Sequence, residues 1–163
     1  MLGLGAHDID GIRTAARIHD IGKLSTPSEI LTKPGALRES ELALVREHAE
    51  AGYDIIRGIA FPWPIADMIL QHHERLDGSG YPQGLRGDEI LLGARIIAVA
   101  DVVEAMSSHR PYRPSKGLDA ALAMIESDEG KLFDPTVVEV CLRLFRAGDF
   151  HFSHTEDDQL DRD

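Results

Sequence analysis

Histidine and aspartate side chains recur in four separated segments of this sequence, and each segment has the apolar spacing of a helix. Divalent metals such as iron, manganese and zinc accept imidazole nitrogens and carboxylate oxygens as ligands. Together the segments supply four imidazoles and two carboxylates, more than one ion with an open position requires. They therefore predict a two-metal site with a shared carboxylate. The predicted ligands are His19, Asp20, His48, His72, His73 and Asp101.

Each of these ligands, taken alone, also has a structural explanation. His19 and Asp20 share a surface with Lys23 one helical turn later, and a capping or salt-bridge role would account for all three. His48 lies on the inward side of an amphipathic segment, where a backbone carbonyl could satisfy its ring. The pair His72-His73 could stabilise a helix C-terminus as imidazolium. Only the joint occurrence of these groups favours a metal site.

Asp101 is the most unusual single residue. It lies within the apolar run 96–103, and no basic residue is closer in the sequence than Arg95. Burying a carboxylate there is costly unless it binds a cation or strong hydrogen-bond donors. A metal ligand and a hydrogen-bonded structural aspartate both fit this position.

A glycine-rich segment, residues 77–87, follows the histidine pair directly and reads DGSGYPQGLRG. Its glycines allow close approach of the backbone to a ligand, although a mobile connector has the same composition. Tyr81 offers a ring on which a nucleotide base could stack. Arg110 and Arg113 follow the Asp101 helix and suit phosphate binding, with an exposed basic turn as the alternative.

The elements that must position these residues all have helical periodicity, and no segment alternates as a strand does. The sequence therefore predicts an all-α fold. The predicted helices cover 10–21, 40–57, 64–75, 91–108, 118–127 and 135–146, with a short turn at 27–31 and a loop at 77–87.

Length and composition predict one domain, residues 1–147, followed by an acidic tail, residues 148–163. The chain has 163 residues and a formal charge of −11, which disfavours general binding to DNA because phosphates require basic partners. The one cysteine excludes an intrachain disulfide. Neither a signal peptide nor a membrane segment is recognisable, and we expect a cytoplasmic location.

In combination, the motifs resemble the HD-GYP family from about residue 2 to residue 145. That resemblance implies an HD-type helical bundle with a Gly-Tyr-Pro loop. It also implies hydrolysis of the bacterial messenger cyclic di-GMP to the linear dinucleotide or to GMP, with an upstream regulatory domain or other signalling proteins as partners. The motifs are His19-Asp20-Ile21-Gly22-Lys23, His48 with Gly52, the run from His72-His73 to Gly80-Tyr81-Pro82, Asp101, and Arg110-Pro111-Tyr112-Arg113.

The resemblance also assigns roles. His19, Asp20 and Asp101 would hold one metal, and Asp20 would bridge to a second. The residues implied for the second metal are His48, His72 and His73. Hydroxide formed between the metals would attack phosphorus.

The remaining roles concern the substrate and the identity of the metals. Lys23 would face the scissile phosphate, and Tyr81, Arg110 and Arg113 would contact the ligand. Iron or manganese fits the metal ligands best, while zinc, nickel and magnesium also suit them.

One departure from the family concerns a further histidine that relatives carry upstream. Only 18 residues precede His19, and His7 lies too close to take that place. We therefore expect the chain to begin inside the domain, with the first metal one ligand short. Two alternatives follow: a non-catalytic domain that binds a ligand or a protein, and a general HD-type nucleotide phosphohydrolase. The latter gives no reason for the Gly-Tyr-Pro loop.

Overall fold

A computed structural model describes residues 2–108, 117–148 and 150 of the chain. Within these ranges the fold is all-helical, as predicted, and β-structure is limited to two isolated bridges. The helices are α1 (Ala6–Ile18), α2 (Ser28–Leu31), α3 (Glu39–Arg46), α4 (His48–Ile56), α5 (Ile65–Gln71), α6 (Leu92–Ser107), α7 (Leu118–Ser127) and α8 (Pro135–Arg146), with 3₁₀-helices at Ile21–Ser25 and Gly87–Glu89.

Two apolar clusters form the core, and α6 belongs to both. Ile97 of α6 packs in the first cluster with residues of α1, α4 and α5, such as Ala15, Ile56 and Ile69. Val99 of α6 packs in the second, against α7 and α8. A helix that is apolar around most of its circumference is buried on several sides, and α6 therefore joins the two halves. None of the described helices has both the length and the apolar character that crossing a membrane requires.

Most predicted elements are confirmed, α7 and α8 to the residue, but the bounds of α1, the end of α5 and the unbroken helix 40–57 were wrong. Helix α1 begins and ends earlier than predicted, at Ala6 and Ile18, and α5 ends earlier, at Gln71. The single helix predicted over 40–57 is two helices, α3 and α4, separated at Glu47. The imidazole of His48 contributes to this break because it bonds to the carbonyl of Val45 in the last turn of α3.

Candidate metal centre

Three of the predicted ligands follow the last turn of a helix and bond to that turn in the same way. Nδ1 of His19 lies 2.7 Å from the carbonyl oxygen of Ala16, three residues earlier in α1. His48 and His72 repeat this contact at 2.6 Å with the carbonyls of Val45 in α3 and Ile69 in α5. A carbonyl only accepts, so Nδ1 donates in all three and the tautomer is set. In the neutral form of each ring, Nε2 is left with a free lone pair, as in metal-binding histidines.

The free Nε2 atoms point at one another. Nε2 of His48 lies 3.3 Å from Nε2 of His72 and 3.2 Å from Nε2 of His73. Two lone pairs cannot form a hydrogen bond, so His48 and His72 cannot satisfy each other, and only His73, whose tautomer no carbonyl fixes, can donate to His48. A cation between them would turn this unfavourable arrangement into a favourable one.

Asp20 lies between these rings and His19. Its Oδ2 is 3.5 Å from Nε2 of His19, and its Oδ1 is 3.6 Å from Nε2 of His48. The carboxylate thus presents one oxygen to each side, as a bridging ligand would. On the Oδ2 side, Nζ of Lys23 lies 2.5 Å away and brings a fixed positive charge to the edge of the site.

Asp101 reaches the cluster from α6. Its Oδ1 lies 3.6 Å from Nε2 of His19, beyond hydrogen-bond distance but close enough for an ion pair. This contact with Asp101 raises the pKa of His19 above its usual value, although burial acts in the opposite direction. Burial alone would raise the pKa of Asp101, but the interaction with His19 outweighs it and holds the pKa below its usual range. The carboxylate is therefore ionised at neutral pH.

The remaining rings are kept neutral. Burial lowers the pKa of His48 and lowers that of His72 to about 4. The pKa of His73 is also lowered, chiefly by burial and then by the neighbouring His72. Neutral imidazoles are the form that binds metal, so the protein environment supplies the required protonation state before any ion arrives.

The donor set fits divalent metals. Nε2 of His19 and Oδ1 of Asp20 are buried without a hydrogen-bond partner, and such orphaned polar atoms are costly unless something binds them. Two groups of three ligand atoms lie within 4.8 Å of one another: His48 with His72 and His73, and His19 with Asp20 and His72. His72 is thus close to both groups, whereas the resemblance assigned it to one metal.

Close backbone packing joins the segment of Asp20 and Lys23 to the helix of His48. A Cβ on Gly22 would lie only 1.9 Å from the carbonyl oxygen of His48 and 2.5 Å from the nitrogen of Gly52. Only glycine permits this approach of the 3₁₀-helix to α4. The glycine of the His19–Lys23 motif and the glycine four residues after His48 therefore serve the same contact.

The glycine-rich loop is organised by Glu74, which is 2% exposed. Its carboxylate accepts hydrogen bonds from the backbone N–H groups of Gln83, Gly84 and Leu85, at 2.7, 3.1 and 3.0 Å. Gly80 allows the loop to fold back, because a Cβ there would lie 2.4 Å from Cα of Glu74. No role for Glu74 was predicted, although a charged residue between His73 and the loop was a signal.

The folded loop places Tyr81 against the metal centre. Its ring stacks on that of His73, with centroids 4.8 Å apart and planes 28° apart. The guanidinium of Arg46, at the end of α3, lies over the Tyr81 ring at 5.5 Å. Burial raises the pKa of Tyr81 to about 12, so its hydroxyl stays protonated.

Two predicted phosphate-binding residues, Arg110 and Arg113, lie outside the residues that the structure describes. The predicted tail does too, apart from Gly148 and Phe150. His7 lies elsewhere: its ring packs on Trp63, with centroids 5.0 Å apart, before the start of α5 and at the opposite end of that helix from His72. Sequence reasoning also gave no role to Arg46.

Comparison with known proteins identifies the family of this chain. Residues 2–137 match the HD domain family. The chain belongs to the HD domain family. Among its relatives, a cyclic di-GMP phosphodiesterase response regulator from Xanthomonas campestris, RpfG, is 46% identical over 144 residues, which are 87% of this chain and 38% of RpfG. This similarity confirms the resemblance to HD-GYP phosphodiesterases that the motifs predicted.

Two further proteins are similar to this chain, one in sequence and one in fold. A 3'3'-cGAMP-specific phosphodiesterase, number 3, from Vibrio cholerae is 45% identical over 134 residues, which are 81% of this chain and 29% of that protein. Bd1817, an HD-GYP-type protein from Bdellovibrio bacteriovorus, has a solved structure with a TM-score of 0.71 at 18% identity, covering 89% of this chain and 46% of Bd1817. The chain spans less than half the length of these proteins.

Proposed function

We propose that this chain hydrolyses a phosphodiester bond of cyclic di-GMP and that two divalent metal ions assist the reaction. The observation that carries the proposal is the convergence of acceptor atoms: Nε2 of His48 and of His72 face each other at 3.3 Å, and Oδ1 of Asp20 and Nε2 of His19 are buried without a hydrogen bond. The proposed metal ligands are His19, Asp20, His48, His72, His73 and Asp101.

The side chains around the ligands have distinct tasks in this proposal. Divalent ions, when bound, would supply positive charge to the phosphoryl oxygens and lower the pKa of a water molecule. Asp20 and Asp101 offset the charge of those ions. Lys23 Nζ, already 2.5 Å from Asp20, is placed to neutralise charge that develops on the phosphoryl oxygens. Tyr81, Arg110 and Arg113 stay our predicted substrate contacts.

Iron and manganese are the metals that we propose, because the ligands combine hard carboxylate with borderline imidazole. The proposed ligands include no cysteine, so they do not form a zinc site of the thiolate type. Elemental analysis of anaerobically purified protein identifies the bound metal. It would also detect zinc, nickel or magnesium in place of iron or manganese.

The test of the proposal is turnover by the protein loaded with Mn²⁺ or Fe²⁺. We expect cyclic di-GMP to be converted to the linear dinucleotide or to GMP, resolved by chromatography, and we expect a chelator to abolish the conversion. His72→Ala should lose both activity and bound metal, because His72 is close to both groups of ligands. A loaded protein that binds metal but leaves cyclic di-GMP intact would contradict the proposal.

The cyclic dinucleotide 3'3'-cGAMP is a second candidate substrate, favoured by the relative from Vibrio cholerae named for it. The same assay with both substrates decides between them through the ratio of kcat/KM.

Three other predictions accompany this proposal. We propose that residues 1–147 form the catalytic domain and residues 148–163 a tail, that regulation comes from a further domain or a signalling partner, and that the protein works in the cytoplasm without binding DNA. The acidic composition supports the last point, because DNA binding requires phosphate-neutralising side chains.

A further inference from the structure

Arg46 is the outermost group of a stack that begins at the metal centre. The ring of His73 contacts that of Tyr81 at 4.8 Å, and the guanidinium carbon of Arg46 lies 5.5 Å from the Tyr81 centroid. The guanidinium therefore lies no farther from the His73 ring than the sum of these two distances. A single nucleotide unit can span that sum. Stacking on an aromatic ring restricts the planar guanidinium while leaving its N–H groups free to donate.

No carboxylate pairs with Arg46 among the residues that the structure describes. Two other described cations near the site are already engaged: Lys23 is bound to Asp20, and the half-buried Arg75 donates to the carbonyl of Glu74 at 2.8 Å. Arg46 is exposed and lies at the C-terminal end of α3. Arg46 is thus an exposed cation at the stack whose N–H groups have no hydrogen-bond partner within residues 2–108 and 117–148.

A cyclic dinucleotide has a second phosphate that the guanidinium of Arg46 could bind. It carries two phosphates, and the metal centre can neutralise the one that is cleaved. The protein has a formal charge of −11, so the second phosphate enters a field that is unfavourable without a local cation. A planar guanidinium is well suited to phosphate because it offers parallel N–H donors.

We infer that Arg46 binds the phosphate of the cyclic dinucleotide that is not being cleaved, with Tyr81 as the platform that holds its guanidinium. The inference rests on the proposed function, since the ligand is a cyclic dinucleotide. Arg46 is then a substrate-binding residue that touches neither the metal ions nor the reacting phosphorus. Its loss should weaken binding of substrate and transition state equally, which raises KM and leaves kcat nearly unchanged.

The experiment measures dissociation constants by calorimetry on the Mn²⁺-loaded chain. The ligands are slowly hydrolysed phosphorothioate analogues of cyclic di-GMP, 3'3'-cGAMP and cyclic di-AMP. Arg46→Ala should raise Kd about tenfold for all three, because the lost contact is a charge-assisted hydrogen bond to a phosphate that all of them carry. Arg46→Lys should raise Kd about threefold, since lysine keeps the charge but lacks the planar fork.

Arg57 provides the matched control. It is also an exposed arginine at a helix end, and its guanidinium lies over Tyr53 at 6.0 Å, but it pairs with Asp54. Arg57→Ala should leave Kd and metal content unchanged. Arg46→Ala should likewise keep the metal content of the unmodified chain, measured by elemental analysis.

The outcomes separate this inference from the proposed function. Unchanged Kd in Arg46→Ala, or a loss confined to guanine-containing ligands, overturns the phosphate assignment; the latter would mean that Arg46 reads the base. A chain that binds the analogues through Arg46 but does not hydrolyse cyclic di-GMP refutes the proposed function alone. A chain that binds none of the three ligands refutes both.

Discussion

Asp20 and Glu41 are both carboxylates held by basic neighbours, yet their oxygen atoms differ in how many hydrogen bonds they accept. Both oxygens of Glu41 are hydrogen-bonded: Lys33 donates to each, at 2.8 and 2.7 Å, and Arg38 adds bonds from its backbone and its guanidinium. Asp20 has one bond, from Lys23 to Oδ2, and its Oδ1 is buried without any.

The difference shows how a structural carboxylate is distinguished from a functional one. Every oxygen of Glu41 is satisfied inside the protein, so the cluster needs no ligand and anchors the start of α3. Asp20 is left incomplete beside imidazoles whose lone pairs are also unused. Buried polar atoms without partners are costly, and the fold leaves them at Asp20 but not at Glu41. We therefore interpret the surroundings of Asp20 as a binding site.

Asp20→Ala tests the comparison with the largest expected effect. Because one carboxylate faces both groups of ligands, we expect both metal ions to be lost and phosphodiesterase activity to fall by roughly a thousandfold or more, the equivalent of about 4 kcal/mol of transition-state stabilisation. Elemental analysis and turnover measure the two effects. Retention of two metals per chain would contradict the bridging role. The Tm of the metal-free variant should not be lower than that of the metal-free unmodified chain.

Glu74→Gln should have the next largest effect, on the loop rather than on the metals. The amide group replaces one acceptor oxygen with a donor that faces backbone N–H groups, at a cost of about 2 to 4 kcal/mol. For a chain of this size that lowers Tm by roughly 5 to 10 °C.

Hydrogen exchange supplies the control for Glu74→Gln. Exchange should accelerate at the amides of residues 83–85, while the amides of α7 keep their protection. Unaltered exchange at residues 83–85 would mean that Glu74 does not order the loop.

Glu41→Gln should change the acid sensitivity of the fold. Hydrogen bonds from Arg38 and Lys33 lower the pKa of Glu41 from 4.5 to about 2 in the folded chain. Because the unfolded chain takes up the proton first as pH falls, this stabilisation is complete above about pH 4.5 and is lost towards pH 2.

The variant should therefore have a lower Tm at pH 6 and a shallower decline of Tm between pH 5 and pH 2.5. Its Mn²⁺ content should equal that of the unmodified chain, in contrast to Asp20→Ala. A decline as steep as that of the unmodified chain would show that Glu41 is not responsible for it.

His7→Ala should have the smallest effect. The ring of His7 packs on Trp63 and takes no part in either group of ligands. We expect unchanged metal content and a loss of about 0.5 to 1 kcal/mol in the free energy of unfolding, measured by urea denaturation. Loss of a metal ion would instead identify His7 as the upstream ligand that the sequence analysis rejected.

The sequence predicted the fold class and most of its helices because apolar periodicity records which face of a segment is buried. It failed at Glu47, where α3 ends and α4 begins, since no glycine or proline marks that break and the bond there between the His48 ring and Val45 is not visible in the sequence. The candidate ligands were found because six metal-binding side chains in apolar surroundings are hard to explain otherwise.

Residue types and spacing thus determined which atoms were available: imidazoles, carboxylates, a lysine and a glycine-rich loop. Only the tertiary structure decided what each atom faces. The contact between Gly22 and Gly52 brings Asp20 to His48, and the carbonyls of three helix ends fix which ring nitrogen stays free. These contacts join residues far apart in the chain, and their geometry depends on packing in three dimensions, which local spacing does not encode.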